Sequence, residues 1–322
     1  MFLSTEILPL RGNSNPVSWR PEVGRNRSQQ MPFRRDAISV EILRQISARV
    51  DSWQASAGKP GMTAMIRVGL SGRVATLTMD RPAVHNAFNA ELIVELTAAL
   101  ARVGADPEVR AVVLAAEGAS FSAGADVNWM RAMAAYSEAE NHADALKLAD
   151  LMRTLAYLPK PTIARVQGSA YGGGVGLVAC CDVALCVSEC KFALTESKLG
   201  LVPAVISPYV VAAIGARHAR RWFQSGASFD APRALAMNLV HEVLPAEQLD
   251  QAVERELESM LKAGPTATLV AKRLVEGIFG RDEAAQRKLD EQTAALIARL
   301  RVSMEGQEGL TAFLEKRAPN WL

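Results

Sequence analysis

The stretch Gly168-Ser-Ala-Tyr-Gly172-Gly173-Gly174-Val-Gly176 ends an apolar strand pattern and opens an apolar helix pattern, and Glu196 follows Gly176 by 20 residues. A backbone bare of Cβ atoms lets a ligand approach the main chain, and the N–H groups at a helix start carry partial positive charge that stabilises a developing anion. The loop Ser120-Phe-Ser-Ala-Gly124-Ala125-Asp126 follows the second strand pattern in the same sense that the glycines follow the third. Two strands that each present one backbone donor to a single carbonyl oxygen make an oxyanion hole, and a carboxylate at Glu196 would supply proton transfer beside it. Either loop alone reads as an ordinary turn; the pair together with Glu196 points to chemistry.

The rest of the chain sets these loops into an α/β alternation. Ala75, Leu77 and Met79 alternate with Thr76 and Thr78, which predicts a half-buried strand ending at Asp80-Arg81-Pro82. Asn89 offers an N-cap to a helix with Leu92, Leu96, Leu100 and Val103 on one face, closed by Gly104. Next come a strand at 110–115, a loop at 117–126, a long helix near 138–158 and a strand at 162–167. The glycine run opens a helix into Cys181, and strands near 182–187 and 191–194 follow. After residue 207 the strand signals stop, and helices are expected at about 208–224, 231–237, 246–262, 266–279, 282–304 and 307–315. The last third reads as a helical layer of the kind that packs against partner subunits.

Composition narrows the function classes. With 49% apolar and 22% charged residues over 322 positions, the chain can bury a substantial core. Its net charge of +2 is uneven: residues 1–61 carry +4 and residues 62–322 carry −2, so the main body is not a basic nucleic-acid binder. No window approaches the roughly 18 apolar residues of a membrane span, and the N-terminus lacks the basic-then-apolar order of a secretory signal, so a cytoplasmic protein is expected. Residues 1–61 form an extension, read as a mis-assigned start ahead of Met62 or Met65, a disordered or accessory arm, or a targeting segment. Cys180, Cys181, Cys186 and Cys190 lack metal-ligand spacing and are expected as buried thiols, with no metal site.

From about residue 66 to 322 the chain resembles the crotonase superfamily of enoyl-CoA hydratases and isomerases. The resemblance rests on Asp80-Arg-Pro-Ala-Val-His-Asn86-Ala87, Phe121-Ser-Ala-Gly-Ala-Asp126, the run 168–176, Phe192-Ala-Leu-Thr-Glu196 and Ala312-Phe313-Leu-Glu-Lys316-Arg317. Within the superfamily, Ala125-Asp-Val-Asn-Trp-Met, Gly173-Gly-Val-Gly-Leu-Val-Ala-Cys-Cys-Asp and Leu199-Gly-Leu-Val-Pro-Ala-Val-Ile-Ser-Pro are most similar to bacterial methylglutaconyl-CoA and isohexenylglutaconyl-CoA hydratases. The resemblance implies a repeated ββα spiral core over 62–260 and a C-terminal helical region over 261–322 that builds homotrimers, often paired as homohexamers, and contacts CoA. It implies that Ala125 and Gly173 N–H groups polarise the thioester carbonyl and that Glu196 is the acid/base. Ala83, Val84, His85 and Ala87 would line the CoA nucleotide, Ala123, Asp126, Gly172 and Gly176 would also bind substrate, and Phe313 and Lys316 would touch the adenine and phosphate region of CoA from a neighbouring subunit. The expected partner is an acyl-CoA substrate, with CoA part of that substrate and no separate cofactor.

One departure matters. Two-carboxylate hydratases of the superfamily place a second Glu two residues after the Gly-Gly-Gly run, where this chain has Gly176. Hydration needs a base towards water and an acid towards Cα, and Glu196 must serve as both. An acyl chain bearing its own distal carboxylate would account for the missing group, with Arg131 or Lys198 as candidate cations for it and repulsion as the reason a second Glu would be harmful. An enoyl-CoA isomerase is the main alternative, because moving a double bond needs one base. A dinucleotide fold built on Gly174-x-Gly176-x-x-Ala179 leaves the Ala125 loop unexplained. A serine hydrolase fails because Ser169 is misplaced for a nucleophile elbow. A non-catalytic acyl-CoA-binding or RNA-associated role is the remaining class, and the −2 charge gives the latter no support.

Overall fold

The computed structural model describes residues 64–322, so the extension expected over 1–61 lies outside the described residues. Strand β1 (Ile66–Ser71) pairs antiparallel with β2 (Val74–Met79), and the expected alternation holds, with Ala75, Leu77 and Met79 buried. Helix α1 (Ala90–Ala105) begins where the Asn89 side-chain oxygen accepts from the Leu92 N–H at 2.9 Å, and it runs through Gly104 rather than stopping there. Strand β3 (Ala111–Ala116) is buried at every position, as expected of a parallel strand covered on both faces.

From β3 onward a unit recurs in which a long strand leads to a three-residue strand and then to helix. The first unit is β3, β4 (Ser120–Ser122), α2 (Val127–Ala134) and α3 (Glu138–Ala156), the last opened by a capping box between Ser137 and Glu140. The second is β5 (Thr162–Val166), β6 (Ser169–Tyr171) and α4 (Gly173–Cys180). The third is β7 (Val183–Val187), β8 (Lys191–Ala193), a 3-10 turn at Thr195–Leu199 and α5 (Ser207–Ser225). Strand β9 (Ser228–Asp230), α6 (Ala231–Ala236), β10 (Glu242–Leu244) and α7 (Leu249–Lys262) follow.

The long strands, with β10 at one edge, form a sheet of order β1-β2-β3-β5-β7-β10, and the remaining short ones a second sheet of order β4-β6-β8-β9. Strands β9 and β10 correct the expectation that strands end by residue 207. Each is three residues long, too short to show a period of two, and β9 is held by Phe229, which stacks on Phe192 with ring centroids 5.8 Å apart.

Helices α8 (Pro265–Ile278), α9 (Glu283–Val302) and α10 (Met304–Glu315) complete the described chain. Helix α9 lies along α3, where the buried Arg153 guanidinium bridges to Asp290 and also meets Asp150 and Glu283. Helix α8 buries none of its residues and exposes Val270, Leu274, Val275 and Ile278, continued by Phe279. The four cysteines are buried free thiols. Among the described residues no helix is long and apolar enough to cross a membrane.

Candidate active site

The second sheet assembles the site. Strands β4, β6 and β8 are neighbours in parallel, with Ser122 opposite Ala170 and Tyr171 opposite Ala193. Their C-terminal ends therefore lie side by side, and the chain leaves them through Ala123-Gly-Ala125, Gly172-Gly173 and Leu194-Thr-Glu196.

At the first exit, Phe88 N–H donates to Gly124 O at 2.7 Å and Asp126 N–H donates to Phe88 O at 2.8 Å, a one-residue parallel bridge that flanks Ala125. The Ala125 N–H itself donates to no backbone carbonyl among the described residues. The loop is fixed from below by Asp126, whose carboxylate caps α2 through the Asn128 N–H and pairs with Arg81 at 3.0 Å, while Arg81 also donates to Ala87 O. Asp126 thus spends its charge on the scaffold and does not line the cavity.

At the second exit Gly172 has φ +49° and ψ −117°, a conformation costing a residue with a side chain about 1–3 kcal/mol. The turn makes Gly173 the first residue of α4, where the N–H has no partner within the helix and points along the positive end of the helix dipole. A Cβ added to Gly173 would come within 3.1 Å of the Phe88 ring. Phe88 therefore orients both donors, Ala125 through its backbone and Gly173 through its ring.

The third exit delivers Glu196. A Cβ built on Gly172 would stand 3.2 Å from its Oε1, so the carboxylate lies directly over the glycine turn. The residue is half-buried, yet Oε2 is sealed and has no hydrogen-bond partner. Burial pushes the carboxyl up to about 7, with a hydrogen bond to its own backbone pulling more weakly the other way. A carboxyl with this pKa can both take and give a proton near neutrality.

All three groups face one cavity of about 430 Å³. Of the residues anticipated from sequence, Ala123, Ala125, Gly172, Gly173, Glu196, Lys198 and Phe313 line it. Phe313 does so on the same chain as Glu196. Lys316, in a left-handed conformation at the end of α10, lies outside it. Ala83, Val84 and His85 form an exposed turn outside the cavity that is tied to the site by the bond from Ala123 N–H to His85 O, and Ala87 is buried. Gly176 does not line the cavity either. A Cβ there would sit 2.9 Å from Ile206 Cβ and nearer still to its Cγ2, so Ile206 occupies the room a side chain would need, and Ile206 is the cavity residue.

Sequence reasoning missed the apolar walls: Trp129, Met130 and Met133 of α2, Leu148 of α3, the segment 201–206, and Ile297 and Leu310 of α9 and α10. It also missed Arg301. The one available signal was the apolar face of α2; the remainder come from segments spread between Leu148 and Leu310 that only the fold brings together.

The model of the family described as enoyl-CoA hydratase/isomerase matches residues 69–322. A Thermus thermophilus protein named for enoyl-CoA hydratase activity is 33% identical over 250 residues, which cover 78% of this chain and 98% of that one. An Arthrobacter protein named 4-chlorobenzoyl coenzyme A dehalogenase-2 is 35% identical over 209 residues, 63% of this chain and 75% of that one. Among solved structures, a Legionella pneumophila protein named for enoyl-CoA hydratase/isomerase (crotonase) activity is 45% identical with a TM-score of 0.65, covering 80% of this chain and 99% of that one. Matched over nearly all its described residues, and spanning the Thermus and Legionella proteins almost end to end, the chain belongs to the enoyl-CoA hydratase/isomerase, or crotonase, family.

Proposed function

We propose that the protein hydrates an enoyl-CoA whose acyl group is branched and carries its own carboxylate, such as 3-methylglutaconyl or isohexenylglutaconyl. The observation that carries this reading is Glu196, a half-buried carboxyl with one oxygen sealed, raised to about 7 over a glycine turn whose neighbouring N–H donors are unengaged among the described residues. The thioester oxygen accepts from Ala125 and Gly173 N–H. Glu196 takes a proton from water as the water oxygen bonds to Cβ, and the double-bond electrons move onto the thioester oxygen as an enolate. The protonated Glu196 then delivers its proton to Cα, so the elements of one water are added and the carboxylate is regenerated. Among the described residues Glu196 is the sole carboxylate lining the cavity, so one group serves both steps. CoA enters as part of the substrate, without a separate cofactor. The reading includes a cytoplasmic trimer or hexamer, and the uncovered apolar face of α8 supports association.

The same solitary carboxylate favours a second reading, a double-bond isomerase in which Glu196 shuttles one proton between two carbons. A panel of methylglutaconyl-, isohexenylglutaconyl-, crotonyl- and 3-enoyl-CoA separates them. Loss of conjugated-thioester absorbance marks hydration and its appearance marks isomerisation; 4-chlorobenzoyl-CoA is added because one relative is named as a dehalogenase. Hydration greatest with the carboxylated thioesters is expected. Appearance of absorbance from 3-enoyl-CoA alone would replace the reading with isomerase, and wild-type binding with no turnover of any substrate would leave an acyl-CoA-binding protein.

A further inference from the structure

Arg301 is 9% exposed, and it lines the cavity from α9. Its Nη1 donates to Asn141 Oδ1 at 3.3 Å and lies 3.6 Å from Asp144 Oδ2. Charge-assisted N–H···O bonds close to about 2.7–2.9 Å, so both contacts are loose. Nε and Nη2 make no hydrogen bond among the described residues. Asp144 is 6% exposed, its Oδ2 has no hydrogen-bond partner, and burial raises its pKa against the pull of Arg301, Lys147 and the Trp129 indole beside it.

The same pair of helices supplies a comparison. Arg153 crosses from α3 to α9 in a closed set with Asp150, Glu283 and Asp290, and Gln286 completes Asp290 at 2.8 Å. That arginine lies away from the cavity. Where these helices need a structural guanidinium, they saturate it. Arg301 is buried, held in place by one weak contact to each of two side chains, and left with donors unengaged among the described residues at a ligand cavity. A five-donor planar fork in that state lacks an acceptor of two oxygens.

Building on the acyl-CoA reading above, we infer that Arg301 is the specificity-determining residue of the cavity, its guanidinium receiving a carboxylate carried by the acyl chain. Asp144 positions the fork from α3. The two cations anticipated from sequence fit less well. Arg131 is exposed, bonded to Asn128 and outside the cavity, and Lys198 lines the cavity but is exposed, where water competes for the carboxylate.

The test is calorimetric binding of glutaryl-CoA and pentanoyl-CoA, saturated thioesters that differ by a carboxylate against a methyl and undergo no hydration, to the full chain. The wild type is expected to prefer glutaryl-CoA by about tenfold or more. Arg301→Gln should erase the preference, Arg301→Lys should keep part of it, and Lys198→Met should keep it. Because Arg301→Gln strands a buried Asp144, the neutral pair Arg301→Gln with Asp144→Asn is measured alongside and should show the same loss. No preference in the wild type, survival of the preference in both Arg301→Gln proteins, or its loss in Lys198→Met would overturn the inference. A wild type that hydrates enoyl-CoA but binds the two thioesters equally fails here alone; one that prefers glutaryl-CoA but hydrates nothing fails only as a hydratase.

Discussion

At neutral pH a carboxyl raised to about 7 is shared between its protonated and ionised forms. Attack by water needs the ionised form, so kcat/KM for hydration should rise with pH and level off above about 7; a profile flat between pH 5.5 and 8.5 would remove Glu196 as the base. Burial acts on stability with the opposite sense. The folded state holds this proton over a window where the unfolded chain releases it, from the ordinary glutamate value of about 4.5 up to about 7, so stability falls as pH rises through that window. Glu196→Gln removes the cost. It should lower turnover by a factor of about 10²–10⁴ while acyl-CoA binding persists, and it should gain up to about 3 kcal/mol in denaturant melts at pH 8 with little gain at pH 5. Phe88 makes a separate prediction, since it fixes Ala125 and packs against Gly173. Phe88→Ala should cost about 3–5 kcal/mol, and Phe88→Leu, which keeps most of the bulk but not the ring, should lower kcat more than it raises KM.

The elements that place the site were legible where a pattern had room to repeat. Strand β2, helix α1 with its Asn89 cap and helix α3 each run six residues or more, and their periods of 2 and 3.6 show in the sequence. Strands β4 and β6 do not, because three residues hold no period; the sequence showed only the small residues that follow them. The Ala125 and Gly173 loops and Glu196 were legible for that reason, while their adjacency depended on a second sheet that was not. Gly176 was legible as unusual, but its packing was not: Ile206 fills the space beside it, so Gly176→Ala should already destabilise by about 1–3 kcal/mol through overpacking. Denaturant melts check this, and a neutral outcome would mean that α5 yields easily. Asp126→Ala, which removes the α2 cap and strands Arg81, should cost a similar amount and lower kcat as the Ala125 loop loosens.

For the whole molecule, the C-terminal helices close the cavity over the chain's own glycine loops, with Ile297, Arg301, Leu310 and Phe313 all in its wall. Removing α10 by a stop after Ser303 should abolish acyl-CoA binding while leaving far-UV dichroism largely intact; retained binding would mean that α10 is a cover only. Helix α8 carries the assembly prediction. Leu274→Asp with Ile278→Asp should convert the trimer or hexamer expected in light scattering into monomers, and a wild-type monomer would refute that assembly. The bridge between Phe88 and Ala125 has an observable of its own. It locks the amides of Phe88 and Asp126 while leaving that of Ala125, like that of Gly173, without a hydrogen-bond partner among the described residues. In deuterium exchange these two should be fast islands inside slow neighbours, and an acyl-CoA seated by its thioester oxygen should slow both together, so that occupancy of the site can be followed amide by amide without any turnover.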